Sequence, residues 1–287
     1  MNHERSNIED RHSLDKQTEM LLKQLDVPKK RSKNEVWKAL NSSIATQSQT
    51  KRRWLTQRTT WAIAASFAVL LTIGSLVLTH TTHVISKKGE HVAVVLPDGS
   101  NVLLNSESQL SYQKYMWWRK REVTLRGEGF FKVMKGRRFE VRTGKYVTAV
   151  LGTSFNVFAR NNEVRVCCFT GKVGVREVTS GNHMVLTPGR GVTSRGNSLG
   201  NVETISEKQK GWTKGEFYFS DAPLKDVFAE IERQFNVTLS CTGCENRRYS
   251  GYFSGKSLNQ ALELVCVPMQ LEFRIVSDDE VVLTPIN

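Results

Sequence analysis

The sequence lacks the patterns that most enzymes and metal proteins carry. No GxGxxG loop opens a helix, so no dinucleotide site is expected. No Ser-His-Asp order and no carboxylate pair at an apolar pocket can be assembled, and His183, the only His past residue 91, lies in a polar turn. After the CxxC of Cys241 and Cys244 no second CxxC or HxxxH follows, which argues against zinc. The expectation is therefore no cofactor, no metal and no turnover enzyme. A basic, aromatic-studded module is missing too. Net charge is +13, but residues 1–60 hold 13 Lys/Arg against 7 Asp/Glu and the rest 28 against 21, so the excess is spread and no direct nucleic-acid contact is expected.

One further absence sets the topology. No charged residue occurs from Thr59 to Ser86, and the apolar heart of this run, Trp61–Leu78, is 18 residues long. As a helix it spans roughly 27 Å, close to a bilayer core of about 30 Å. A signal peptide would lie nearer the start and end in a small-residue cleavage site, whereas this run ends LTHTTH. The basic flank KRR at 51–53 with Arg58 outweighs Lys87 and Lys88 on the far side. The positive-inside rule then predicts one span with the N-terminus cytoplasmic. The expected division is a cytoplasmic segment 1–58, a transmembrane helix 59–80, a β domain 81–205 and an α+β domain 206–287, with the last two across the membrane and membrane lipid a partner.

The first segment is short and helical in pattern. Leu14, Leu21, Leu22 and Leu25 form one stripe, which Pro28 ends. Ser32 and Glu35 form a capping box, and Val36, Trp37, Leu40 and Ile44 share the next face. Two such helices bury too little apolar surface to be stable alone, so they are expected to order on another protein; a weakly structured tail is the plainer alternative.

From His91 the hydrophobic period becomes 2. Val92, Val94 and Leu96 alternate, Pro97-Asp98-Gly99 turns, and Val102 and Leu104 resume, a hairpin signature. More short alternating runs follow to Val175, separated by turns expected at Gly127, Gly136, Gly144, Asn161–Asn162, Gly171 and Gly181. This spacing predicts an all-β domain, solenoid- or sandwich-like. In the tail, residues 217–240 align with 251–275, and Leu224 and Leu258 occupy equivalent places. Each unit reads strand, cap, helix, strand, with Asp221 and Ser257 as caps, and EVVLTP at 280–285 closes the set. Two β-α-β repeats in a small α+β domain are expected. The five Cys all lie past the membrane run. Cys168 is in phase with Val164 and Val166 and should be core, with Cys167 pointing the other way. A structural disulfide among Cys241, Cys244 and Cys266 is open, its connectivity undetermined.

The ordered motifs LPDGSNVLLNSES (96–108), REVTLRGEGFFKV (121–133), FEVRTGKYVTAVLGTSFNVF (139–158), VRVCCFTGKVGV (164–175) and LTPGRG (186–191) resemble the FecR family of anti-sigma factors. Gly129 stands where the family usually has Ala, which should loosen the local strand. The tail resembles the family's C-terminal domain, akin to short secretin and TonB-dependent receptor domains, and Trp212 sits where many such proteins carry a Trp. The resemblance implies an inner-membrane regulator of an extracytoplasmic-function sigma factor, bound through Leu14, Leu21, Leu22, Leu25, Val36, Trp37 and Leu40. It implies a partner outside, the signalling domain of a TonB-dependent outer-membrane receptor. It also implies possible self-cleavage between Gly152 and Thr153, where a tight bend is the structural alternative. A membrane-anchored envelope assembly protein with no sigma partner is the rival reading.

Overall fold

The computed structural model describes residues 18–21, 23, 32–196, 198–244 and 246–286. The expected contacts at Leu14, Leu22 and Leu25 lie outside these residues. The chain divides into two units, residues 1–72 and 73–287.

Helix α1 runs unbroken from Lys33 to Thr79, 47 residues, or about 70 Å. The helix that begins the first segment and the membrane-length helix are one continuous element. No Pro interrupts this stretch, and Gly74 alone is not enough to break it. The capping box forms as expected: the Glu35 amide donates to Ser32 Oγ at 3.3 Å and the Ser32 amide to Glu35 Oε2 at 3.1 Å. Ser66, Thr72 and Thr79 turn their hydroxyls back onto helix carbonyls, which removes their polarity from the apolar surface. Arg58–Thr79 is long and apolar enough to cross a membrane, and the chain covers none of it. A core helix of a soluble domain would be covered.

In the second unit, strands β1 (Thr82–Ser86), β2 (Val92–Val95), β3 (Asn101–Leu104), β4 (Ser108–Tyr112), β5 (Arg121–Lys132), β6 (Phe139–Thr143), β7 (Tyr146–Val150), β8 (Ser154–Arg160), β9 (Glu163–Cys168), β10 (Val173–Glu177), β11 (His183–Leu186), β12 (Arg190–Arg195) and β13 (Ser198–Thr204) build two layers. One layer runs β11-β10-β7-β6-β5-β4-β1 and the other β2-β3-β5-β8-β9-β12-β13. Strand β5 belongs to both. Its residues 121–126 pair in the first layer and 127–132 in the second. Gly127 is therefore no turn between strands but the point where one strand changes layer. Its φ is +96°, and a Cβ there would meet Ser108 Oγ at 2.4 Å. Only a residue without a side chain permits so close a crossing. Gly129 does not loosen β5; it pairs with Leu104 on one side and Val157 on the other. The layers enclose a core of Leu104, Leu110, Leu125, Phe131, Phe139 and Phe155. Phe131 and Phe155 stack at 5.0 Å.

A 3-10 helix, Glu207–Lys214, leads into β14 (Glu216–Pro223), α2 (Leu224–Phe235), β15 (Thr238–Cys241), β16 (Arg248–Ser254), α3 (Leu258–Cys266), β17 (Leu271–Ser277) and β18 (Glu280–Pro285). The strands form two small sheets. β14 pairs with β16, and β18 lies between β15, to which it is parallel, and β17. Leu224, Val227, Phe228 and Ile231 of α2 and Ala261, Leu262 and Val265 of α3 fill the space between them. Ser257 caps α3, its hydroxyl accepting from the Gln260 amide. Asp221 does not cap α2. It sits at φ +48° in an irregular stretch of β14 and accepts from Arg248 Nε at 2.6 Å, while Pro223 occupies the cap position. Proline's fixed φ suits a helix entry without a side-chain cap.

Candidate functional site

Three places carry side chains that packing alone does not explain. The first is the corner between β7 and β8, Leu151–Thr153. Its backbone is pinned on both sides: Gly136 donates to the Leu151 carbonyl at 2.8 Å and Val133 to the Thr153 carbonyl at 2.9 Å. The Ser154 amide donates to Thr170 Oγ1 at 2.8 Å. Gly152 has φ +153°, and a Cβ there would lie 2.7 Å from Lys135 Cα. On the other flank a Cβ at Gly171 would come within 2.6 Å of Thr153 Cγ2. Thr153 is only 5% exposed, and its hydroxyl is buried without a hydrogen-bond partner. A buried hydroxyl left unpaired costs about 1–3 kcal/mol. The bend and the free hydroxyl thus occur together at the Gly152–Thr153 bond.

The second place is the start of α1. Trp37 is 66% exposed and Leu40 and Ile44 are exposed with it. Their spacing places them on one helical face. Val36 and Leu21 are exposed as well. Nothing among the described residues covers this face.

The third place escaped the sequence reading. The outer surface of the β2–β13 layer is covered by the C-terminal module, and a polar network lies between them. Glu128 of β5 accepts from Asn105 Nδ2 at 2.8 Å and from Asn156 Nδ2 at 2.7 Å. Trp212 Nε1 donates to Asn156 Oδ1 at 3.2 Å. From α2, Gln234 Nε2 donates to Asn105 Oδ1 at 2.8 Å and to Glu230 Oε1 at 2.7 Å. Arg233 holds the other oxygen of Glu230 at 2.6 Å. Burial, and secondarily the charge of Glu230, pushes the Glu128 carboxyl above its ordinary value. Phe130, Phe169 and Leu103 complete the contact on the apolar side. The sequence did hold a signal. Phe130-Phe131 and Cys167-Cys168 break the alternation, placing apolar residues on both faces of their strands. Cys167 does point away from the core, but that side is covered too and both cysteines are buried.

The disulfide joins Cys241 to Cys244, and Cys266 is free and buried at the end of α3. Burial pushes the Cys266 thiol up to about 11, so it remains a protonated core residue at neutral pH. No group of three or more metal-ligating side chains occurs among the described residues.

The chain thus combines a helix of membrane length, a two-layer β domain and a covering α+β module. Residues 82–174 match the family described as FecR protein, and residues 216–283 match FecR, C-terminal. The chain belongs to the FecR family. No curated protein matches it in sequence. Two crystal structures of a protein from Parabacteroides distasonis ATCC 8503, described as an anti-sigma factor, superpose with a TM-score of 0.66 at 28% identity. The likeness covers 72% of this chain and 100% of theirs.

Proposed function

We propose that this protein is a single-pass inner-membrane regulator of an extracytoplasmic-function sigma factor. The observation that carries the reading is the continuity of α1. One helix joins an exposed apolar face at Val36, Trp37 and Leu40 to a membrane-length span, in a chain of the FecR family that is similar to an anti-sigma factor. The sigma factor covers that face in the cytoplasm, together with Leu14, Leu21, Leu22 and Leu25. The residues beyond Thr79 lie in the periplasm and read the state of a TonB-dependent outer-membrane receptor through its signalling domain. The two β-α-β units of residues 206–287 derive from one duplicated motif, and the outer strands β15 and β17 offer edges for an added strand.

Self-cleavage at Gly152–Thr153 is part of this proposal. Thr153 Oγ attacks the Gly152 carbonyl carbon, the C–N bond breaks, and an ester to Gly152 and a free amine on Thr153 result. Water then hydrolyses the ester, leaving the Gly152 carboxylate and the restored hydroxyl. The bent glycine and the unpartnered hydroxyl support the step.

The test is co-purification of the full chain, from membranes, with each sigma factor of the source bacterium expressed beside it. One sigma factor is expected to be retained, and Trp37→Ala to release most of it. Retention of none favours an envelope assembly protein. Reporter fusions after residues 58 and 90 check the orientation separately.

A further inference from the structure

The loop between β4 and β5 reads Lys114-Tyr115-Met116-Trp117-Trp118-Arg119-Lys120. Trp118 is 69% and Tyr115 50% exposed. Trp117, by contrast, is buried edge-on against Tyr112 and Phe139 and anchors the loop. Arg137 donates to the Trp118 carbonyl, tying this loop to Met134–Arg138, where Met134 is also exposed.

Strand register fixes where these loops stand. Thr82 pairs with Tyr112, Tyr112 with Val123, Arg121 with Phe139, and Phe139 with Val150. The start of β1, the end of β4, the starts of β5 and β6 and the end of β7 therefore share one end of the layer. That is the end at which the chain arrives from α1. Only His80 and Thr81 separate Thr79 from β1, a reach of roughly 10 Å.

Basic side chains outnumber acidic ones at this end, where Glu122 and Glu140 also stand. Lys114, Arg119, Lys120, Lys135, Arg137 and Arg138 are all exposed. Lys120 pairs with Glu122 and Arg138 with Glu140. The other four form no ion pair among the described residues. Exposed Trp and Tyr beside unpaired Lys and Arg is the side-chain set of a membrane–water interface, where rings lie at headgroup depth and cations meet anionic headgroups.

We propose that this end of the β domain rests on the anionic lipid surface of the bilayer that α1 crosses. Tyr115, Trp118 and Met134 enter the headgroup layer, and Lys114, Arg119, Lys135 and Arg137 contact the phosphates. The inference rests on α1 spanning a membrane. Each basic residue near such a surface is worth roughly five-fold in binding. The corner Leu151–Thr153 stands at the same end, so docking would shelter the Gly152–Thr153 bond from solvent.

The test is hydroxyl-radical footprinting of the full chain in nanodiscs of phosphatidylcholine, with and without an equal part of phosphatidylglycerol. Tyr252, exposed on the C-terminal module, is the internal reference. With phosphatidylglycerol, oxidation of Trp118 and Met134 is expected to fall several-fold relative to Tyr252. The protection should disappear in the combined K114E, R119E, K135E and R137E variant. It should also disappear in the unaltered protein at about 1 M salt, where the Debye length is about 3 Å. Trp118 oxidised at the same rate in both nanodiscs overturns the docking, as does protection that survives both charge reversal and salt. Failure of the chain to co-elute with nanodiscs overturns the membrane span itself, and the docking with it.

Discussion

Replacing Thr153 by Val separates a structural corner from a reactive one. The two side chains have nearly the same shape, so the methyl group that faces Gly171 is kept. Only the hydroxyl is lost, and that hydroxyl is buried with no partner. Releasing an unpaired buried hydroxyl should stabilise the fold by about 1–2 kcal/mol. For a unit of about 200 residues this raises Tm by roughly 2–8 °C. Thr153→Ser makes the complementary change. It keeps the hydroxyl and removes the packed methyl, at a cost of about 1 kcal/mol. Thermal unfolding followed by near-ultraviolet circular dichroism measures both variants, and denaturing gels of the same samples report the chain as whole or as two fragments. Val should be more stable and uncut, and Ser less stable and still cut. A Val variant destabilised by about 1 kcal/mol or more would refute the reasoning, because the hydroxyl would then be holding a partner. Fragments persisting in the Val variant would remove Thr153 from the cleavage step.

Three further outcomes follow from the fold. Gly127→Ala forces a Cβ to 2.7 Å from Ser108 Cα at φ +96°, and should cost about 3 kcal/mol or more in chemical denaturation. The Glu128 carboxyl is held above its ordinary value of 4.5 by burial and by Glu230. The folded state therefore binds this proton more tightly than the unfolded state. Stability from this group is present below pH 4.5 and is lost as pH rises through the raised value. Unfolding scans taken upward from pH 4.5 should show this loss, and Glu128→Gln should flatten it; an unchanged slope in the variant would assign the dependence elsewhere. Trp37→Ala should leave thermal unfolding of the unit 73–287 within about 0.5 kcal/mol of the parent, because the ring is exposed, while weakening sigma-factor retention. A large loss of stability would show that Trp37 packs within the chain instead.

Local patterns carried a good part of this protein. The uncharged run from Thr59 to Ser86, the capping box at Ser32 and the Pro97-Asp98-Gly99 hairpin are read from neighbours a few residues apart, and local chemistry decides them. The ordered motifs from Leu96 to Gly191 sufficed for the family. Tertiary structure decided what depends on residues distant in sequence. Gly127 looked like a turn, yet it is where β5 passes from one layer to the other, because Ser108 lies against it. Asp221 looked like a cap, yet Arg248 across the sheet engages it. Nothing in the residues next to Glu128 marks what its side chain meets. Whether its face meets water or Glu230, Gln234 and Trp212 depends on a module that begins some 80 residues later. Periodicity tells which residues share a face of a strand, and only the packed fold tells what covers that face.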